Sequence, residues 1–134
     1  MMVGVSLSKF LKLWLPVFVW AVFIFYLSSI PDLKTSLKFD FILRKISHVV
    51  EYLILVFFLY RALIGSFNNI NILRLFVYPA SLSFLYAITD ELHQSFVPGR
   101  NCSIQDVLID SVGILIFYIF NIIILRRKRI IPSN

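Results

Sequence analysis

The chain has 134 residues, 60% of them hydrophobic and only 15% charged, and its roughly 80 apolar residues amount to about four membrane spans of about 20 residues each. That composition excludes a water-soluble domain, whose charged content is roughly 25%, and it excludes intrinsic disorder. One cysteine, Cys102, rules out an intrachain disulfide and a CxxC site, and the net charge of +6 reads as basic residues flanking spans rather than a nucleic-acid surface.

The first apolar run covers residues 13–30, LWLPVFVWAVFIFYLSSI. Lys9 and Lys12 resemble a signal-peptide n-region. The run is longer than a signal h-region and no A-x-A site follows, so it is expected to be retained as a span. The next loop, PDLKTSLKFDFILRK, places Leu33, Leu37, Phe41 and Leu43 at roughly helical spacing among Lys34, Lys38 and Asp40. A short amphipathic helix on the membrane surface is expected there.

The second span is expected at about 46–64, opening on KISHVVEY, and the third at about 73–92, closing on TDELHQ. Between them Asn68, Asn69 and Asn71 read as a plain turn, and Pro79 is expected to kink the third span. In the loop SFVPGRN, Pro98-Gly99 predicts a tight turn. The fourth span, about 104–125, follows Ser103-x-x-Asp106, which has the form of a capping box. Segments this apolar are expected to be helical, because backbone groups cannot stay unpaired in lipid. Trp14 and Tyr60 read as interfacial anchors, and Cys102 as an exposed loop thiol.

The basic residues set the expected orientation. Of the 13, eight fall on the side of the termini, including Arg126, Arg127, Lys128 and Arg129, and five on the other. Both termini are therefore expected on the cytoplasmic side of the membrane. All seven acids then lie on the opposite side: Asp32, Asp40, Glu51, Asp90, Glu91, Asp106 and Asp110. Both histidines, His48 and His93, join them.

Helical spacing groups these residues further. His48, Glu51 and Tyr52 share one face. Ser83, Tyr86, Asp90, His93 and Gln94 form a second polar stripe, and Ser103, Asp106, Asp110 and Gly113 a third. Gly113 would admit a close helix neighbour. Ionisable groups at this depth cost on the order of a few kcal/mol unless paired or hydrated, so they are expected to face one outward pocket.

Several chemistries stay open for that pocket. The histidines and carboxylates suit a divalent transition metal such as zinc, manganese or iron, with His48, Glu51, Asp90 and His93 as candidate ligands beside Asp106 or Asp110. No HExxH motif is present, and a plain hydrogen-bonded network is the alternative. The same groups suit acid–base chemistry on a lipid-linked substrate. Arg100 is expected either to grip a phosphate or carboxylate or to pair with Asp90, Glu91 or Asp106. Ser47, Ser95 and Ser103 are weak nucleophile candidates. A proton-coupled transporter is disfavoured, since only Ser83 and Asn121 extend polar character inward.

The segments KISHVVEY, DELHQSFVPGR and DVLIDSVG resemble the VanZ-like family of small bacterial membrane proteins. The matching stretch runs from Lys45 to Gly113. The resemblance implies an all-α membrane protein of four spans in a single domain. It marks Lys45, His48, Tyr52, Asp90, His93, Gln94, Pro98, Gly99, Arg100, Asp106 and Gly113 as the family's polar and turn positions. It also implies a link to teicoplanin, a glycopeptide antibiotic. The chain departs from the pattern at Asp110, where the family often has Asn, and at Phe117, where it often has a second glycine. On this reading His48, Glu51, Asp90, His93 and Asp106 carry any catalysis. Lys45, Tyr52, Gln94, Arg100 and Asp110 bind the substrate, a lipid-linked or peptidoglycan-related envelope component or a glycopeptide-related ligand. A non-catalytic binding module is the alternative.

Overall fold

A computed structural model describes residues 6–31, 39–67, 69–100 and 102–130, with the side chains of residues 40, 41 and 125–130 outside the description. The described residues form four helices: α1 (Leu7–Ser28), α2 (Asp40–Ser66), α3 (Ile72–Gln94) and α4 (Ile104–Ile130). All four contain stretches long and apolar enough to cross a membrane. Helix α2 has 27 residues, which at 1.5 Å per residue is about 40 Å.

The helices outrun the expected spans. Helix α1 begins at Leu7 rather than 13, and α2 begins at Asp40 rather than 46. Phe41 and Leu43 therefore belong to α2. A helix continues past the apolar stretch while its backbone bonds propagate, so hydropathy marks only its lipid-crossing part. Residues 33 and 37 of the expected amphipathic segment lie outside the described residues.

Helix α2 packs against each of the other three, and α3 also touches α1 and α4. Among the described residues α1 and α4 do not meet. The bundle is thus a central α2–α3 pair flanked by α1 and α4. Its core runs along α2 through Tyr52, Leu55, Val56, Leu59 and Ala62. Val17 and Ile24 of α1, Ala87 of α3, and Ile114, Phe117 and Tyr118 of α4 close on that stripe. The outer faces carry exposed Leu15, Phe18 and Val22 on α1, and Leu108, Leu115 and Ile119 on α4. In water such an apolar surface would drive aggregation; in a bilayer it is the lipid-facing side.

Three aromatic donors stitch neighbouring helices through backbone carbonyls. Trp20 Nε1 donates to the Glu51 carbonyl at 2.9 Å. Tyr86 Oη donates to the Ala21 carbonyl at 2.6 Å, and Tyr118 Oη to the Phe76 carbonyl at 2.6 Å. The last bond falls next to the Leu75 carbonyl, which loses its helix donor at Pro79. A neighbouring helix thereby reinforces the turn that the proline weakens. Trp14 and Tyr60, expected as membrane anchors, also have inward partners. Trp14 Nε1 donates to Ser66 Oγ at 2.9 Å, and Tyr60 packs edge-on against Phe117.

Gly113 sets the distance between α2 and α4. A Cβ there would overlap the Val49 carbonyl oxygen and approach the Leu53 nitrogen to 2.9 Å. Only glycine permits this approach, and it brings the polar start of α4 against the polar start of α2.

Candidate functional site

The acid-bearing ends of the helices meet at one end of the bundle. The opposite end presents Lys9, Lys12, Arg61 and Arg74, all exposed. The sorting of charge expected from the linear order is therefore present in three dimensions among the described residues.

Between α2 and α4, Lys45 Nζ donates to Asp106 Oδ1 at 2.8 Å. About one turn closer to the middle of the bundle, His48 Nδ1–H donates to Asp110 Oδ1 at 3.0 Å. The ladder follows from helical spacing. Residues 45 and 48 share a face of α2, and 106 and 110 share a face of α4. The Lys45–Asp106 pair is about a quarter exposed, whereas the Asp110 side chain is fully buried.

Between α1 and α3, Asp90 Oδ2 accepts from Ser28 Oγ at 2.8 Å and from Gln94 Nε2 at 2.9 Å. Asp90 and Gln94 are one turn apart on α3, so a single face carries both. Gln94 Oε1 in turn accepts from Arg100 Nη1 at 3.1 Å. Arg100 also donates through Nη2 to the Leu27 carbonyl at 2.9 Å and through Nε to the Ile30 carbonyl at 3.1 Å. Its cation thus sits on carbonyls at and just beyond the C-terminal end of α1, where the helix dipole is negative.

This placement corrects one expectation. Arg100 makes no ion pair with Asp90, Glu91 or Asp106 among the described residues; it reaches Asp90 only through Gln94. The turn that delivers it spans Val97 to Arg100, closed by the Arg100 N–H on the Val97 carbonyl at 3.1 Å. Gly99 has φ 79°, the conformation a type II turn needs after Pro98.

The expected capping box at Ser103 is only half formed. Ser103 Oγ accepts the Gln105 N–H at 3.2 Å, so the serine is a helix cap. Asp106 does not reach back to the Ser103 N–H, because it is held by Lys45. That N–H is taken by Glu91 Oε2 at 2.9 Å, from α3. Ser95 Oγ donates to the Leu92 carbonyl, so its hydroxyl proton is also engaged.

The two histidines do not come together. His93 stacks on Phe25 at 4.2 Å between ring centroids. Its Nε2 lies 3.0 Å from Ser29 Oγ, whose proton goes to the Phe25 carbonyl, so the imidazole is the donor. His93 therefore turns toward α1, while His48 turns toward α4. The polar stripe read on α3 divides likewise. Tyr86 bonds to α1 and His93 to Ser29 just past its end, Asp90 and Gln94 lie buried with Ser28, and Ser83 is buried without a hydrogen-bond partner among the described residues.

A cleft of about 210 Å³ opens at this end. Its walls are Leu27 and Ser28 of α1, Arg44, Ser47, His48 and Glu51 of α2, and Arg100. With Nδ1 engaged by Asp110, the His48 imidazole has Nε2 left for a ligand. Tyr52 lies fully buried, its hydroxyl without a hydrogen-bond partner among the described residues.

Sequence reasoning placed Glu91 among the acids of the outward end and as a partner for Arg100. The structure buries it to 1% exposure against the start of α4. Being next to Asp90, it points about 100° away around the helix, which sends it to α4 rather than α1. The usable signal was a second carboxylate inside an apolar helix, which is costly there without a purpose. Ser28 and Ser29, at the end of a featureless apolar run, carried no such signal.

Four apolar spans with one hydrogen-bonded polar end define a multi-pass membrane protein. A family model described as VanZ/LLP1 matches residues 5–125, and the chain belongs to that family. The chain is 33% identical over 113 residues to the uncharacterized membrane protein YwnJ of Bacillus subtilis (strain 168), covering 78% of this chain and 73% of that relative. No solved structure matches the chain.

Proposed function

We propose that the protein lies in the bacterial cytoplasmic membrane with both termini cytoplasmic, and that its cleft receives a cell-envelope component from the outer side. The observation that carries this reading is the cleft itself. Charged and polar groups of α2 meet Arg100 there, directly above lipid-facing helices. A lipid-linked or peptidoglycan-related molecule presents a polar head beside an apolar tail, which suits such a boundary. His48 and Glu51 contact the head. Asp90, Gln94 and Arg100 hold the wall, and Lys45–Asp106 forms the rim. The resemblance to VanZ-like proteins adds an effect on teicoplanin susceptibility.

The test is binding of the purified full chain to vesicles carrying a polyprenyl diphosphate lipid. Saturable binding that His48→Ala and Glu51→Gln weaken at least tenfold supports the reading. Equal binding to vesicles without that lipid overturns it. The His48–Asp110 pair favours one elaboration, since a carboxylate that orients an imidazole prepares it as a general base. Chemical turnover of the bound lipid separates an enzyme from a binding module.

A further inference from the structure

We infer that His48, Glu91 and Asp110 form a binding site for one divalent transition-metal ion. Each residue offers a ligand atom, and the three atoms lie within 4.8 Å of one another. They come from three different helices, α2, α3 and α4.

The first argument is charge. Glu91 is 1% exposed and Asp110 0% exposed. Among the described residues, Lys45 pairs with Asp106, and Arg100 spends three donors on Leu27, Ile30 and Gln94. Two carboxylates buried in a membrane bundle with one imidazole between them are under-compensated, and an unpaired buried charge is strongly unfavourable.

The second argument is hydrogen bonding. Glu91 Oε2 accepts from Ser103, and Asp110 Oδ1 from His48. The other oxygens, Glu91 Oε1 and Asp110 Oδ2, are buried with no hydrogen-bond partner among the described residues. Buried polar atoms of a native structure are nearly always satisfied. A cation bound by these oxygens answers both the charge and the orphaned lone pairs.

The third argument is spacing. Around an ion with bonds of about 2.0–2.2 Å, neighbouring ligands sit about 3.0–3.6 Å apart. His48 Nδ1 and Asp110 Oδ1 are already 3.0 Å apart, and the ion takes the place of the proton between them. Glu91 closes the remainder by a side-chain movement. The Ser103 N–H on its other oxygen supplies the outer support that metal-ligating carboxylates commonly have. One imidazole and two carboxylates suit zinc, manganese or iron(II). Three protein ligands leave a position for water or a further ligand.

The test uses the full chain in mild detergent, stripped with a chelator and titrated with Mn²⁺ and Zn²⁺, with no envelope ligand present. One ion per chain and a raised melting temperature are expected. His48→Ala, Glu91→Gln and Asp110→Asn each weaken binding at least tenfold, while His93→Ala and Cys102→Ser leave it unchanged. Absence of stoichiometric metal in the wild-type chain overturns the site, and points to a proton shared by Glu91 and Asp110 instead. Equal losses in the two control variants overturn it too. Because no lipid ligand enters the measurement, its failure would leave the cleft reading standing, and the converse also holds.

Discussion

The Glu91 carboxylate accepts the backbone N–H of Ser103 at 2.9 Å, so a side chain near the end of α3 caps the start of α4. The helix start that a local serine–aspartate pair was expected to close is closed from another helix. Asp106 is thereby released to pair with Lys45, and the start of α4 is tied to two helices at once.

Replacing Glu91 separates its two duties. Glu91→Ala removes the acceptor for the Ser103 N–H and lowers stability by about 1–2 kcal/mol, the scale of a lost helix cap. Glu91→Gln keeps an acceptor oxygen and loses less than half of that, although it removes the charge. Thermal unfolding of both variants in detergent measures the difference; equal losses would show that charge, not the hydrogen bond, holds α4.

Helix spacing at Gly113 is predicted to be intolerant. Gly113→Ala drives a methyl into the Val49 carbonyl and costs about 1–3 kcal/mol, as overpacking does. Gly65→Ala meets only the flexible end of the Leu13 side chain, at 2.7 Å, and is expected to lose under about 1 kcal/mol. Melting temperatures of the two variants, compared side by side, check the contrast.

Arg100 is predicted to act as a clamp on α1. Arg100→Lys does not rescue Arg100→Ala, because one ammonium cannot serve two carbonyls and an amide arranged around a planar fork. Both variants are expected to lose about 1–3 kcal/mol. Hydrogen exchange of the Ser29 and Ile30 amides should rise in each; unchanged exchange would remove the clamp.

The proposed orientation has a direct test in the chain's one thiol. Cys102 is exposed at the acid-rich end. A membrane-impermeant maleimide added to intact cells, with the outer membrane permeabilised where there is one, is expected to label it. Cys102→Ser abolishes the signal. Labelling only after the cytoplasmic membrane is broken would reverse the orientation.

Much of the site is legible in the linear order of residues. Hydropathy reveals four helices because lipid leaves the backbone no other way to pair, and antiparallel order sends every acid in the described segments to one end. Helical spacing correctly put His48 on a face with Glu51 and brought Asp106, Asp110 and Gly113 into line, all of which meet α2. What spacing cannot provide is a rotation angle. The α3 stripe looked continuous, yet Asp90 and Gln94 turn to Ser28, His93 to Phe25 and Ser29, and Glu91 to Ser103.

The chain by itself determined the class of protein and the end of the bundle that holds its acids and histidines, since both follow from the cost of polar atoms in hydrocarbon. The tertiary structure decided the partners. Gly113 lets α4 approach until Asp110 meets His48, and Arg100 is drawn to the carbonyls of α1 instead of the acids. These outcomes depend on packing between helices distant in sequence, where an ångström of approach decides which hydrogen bond forms.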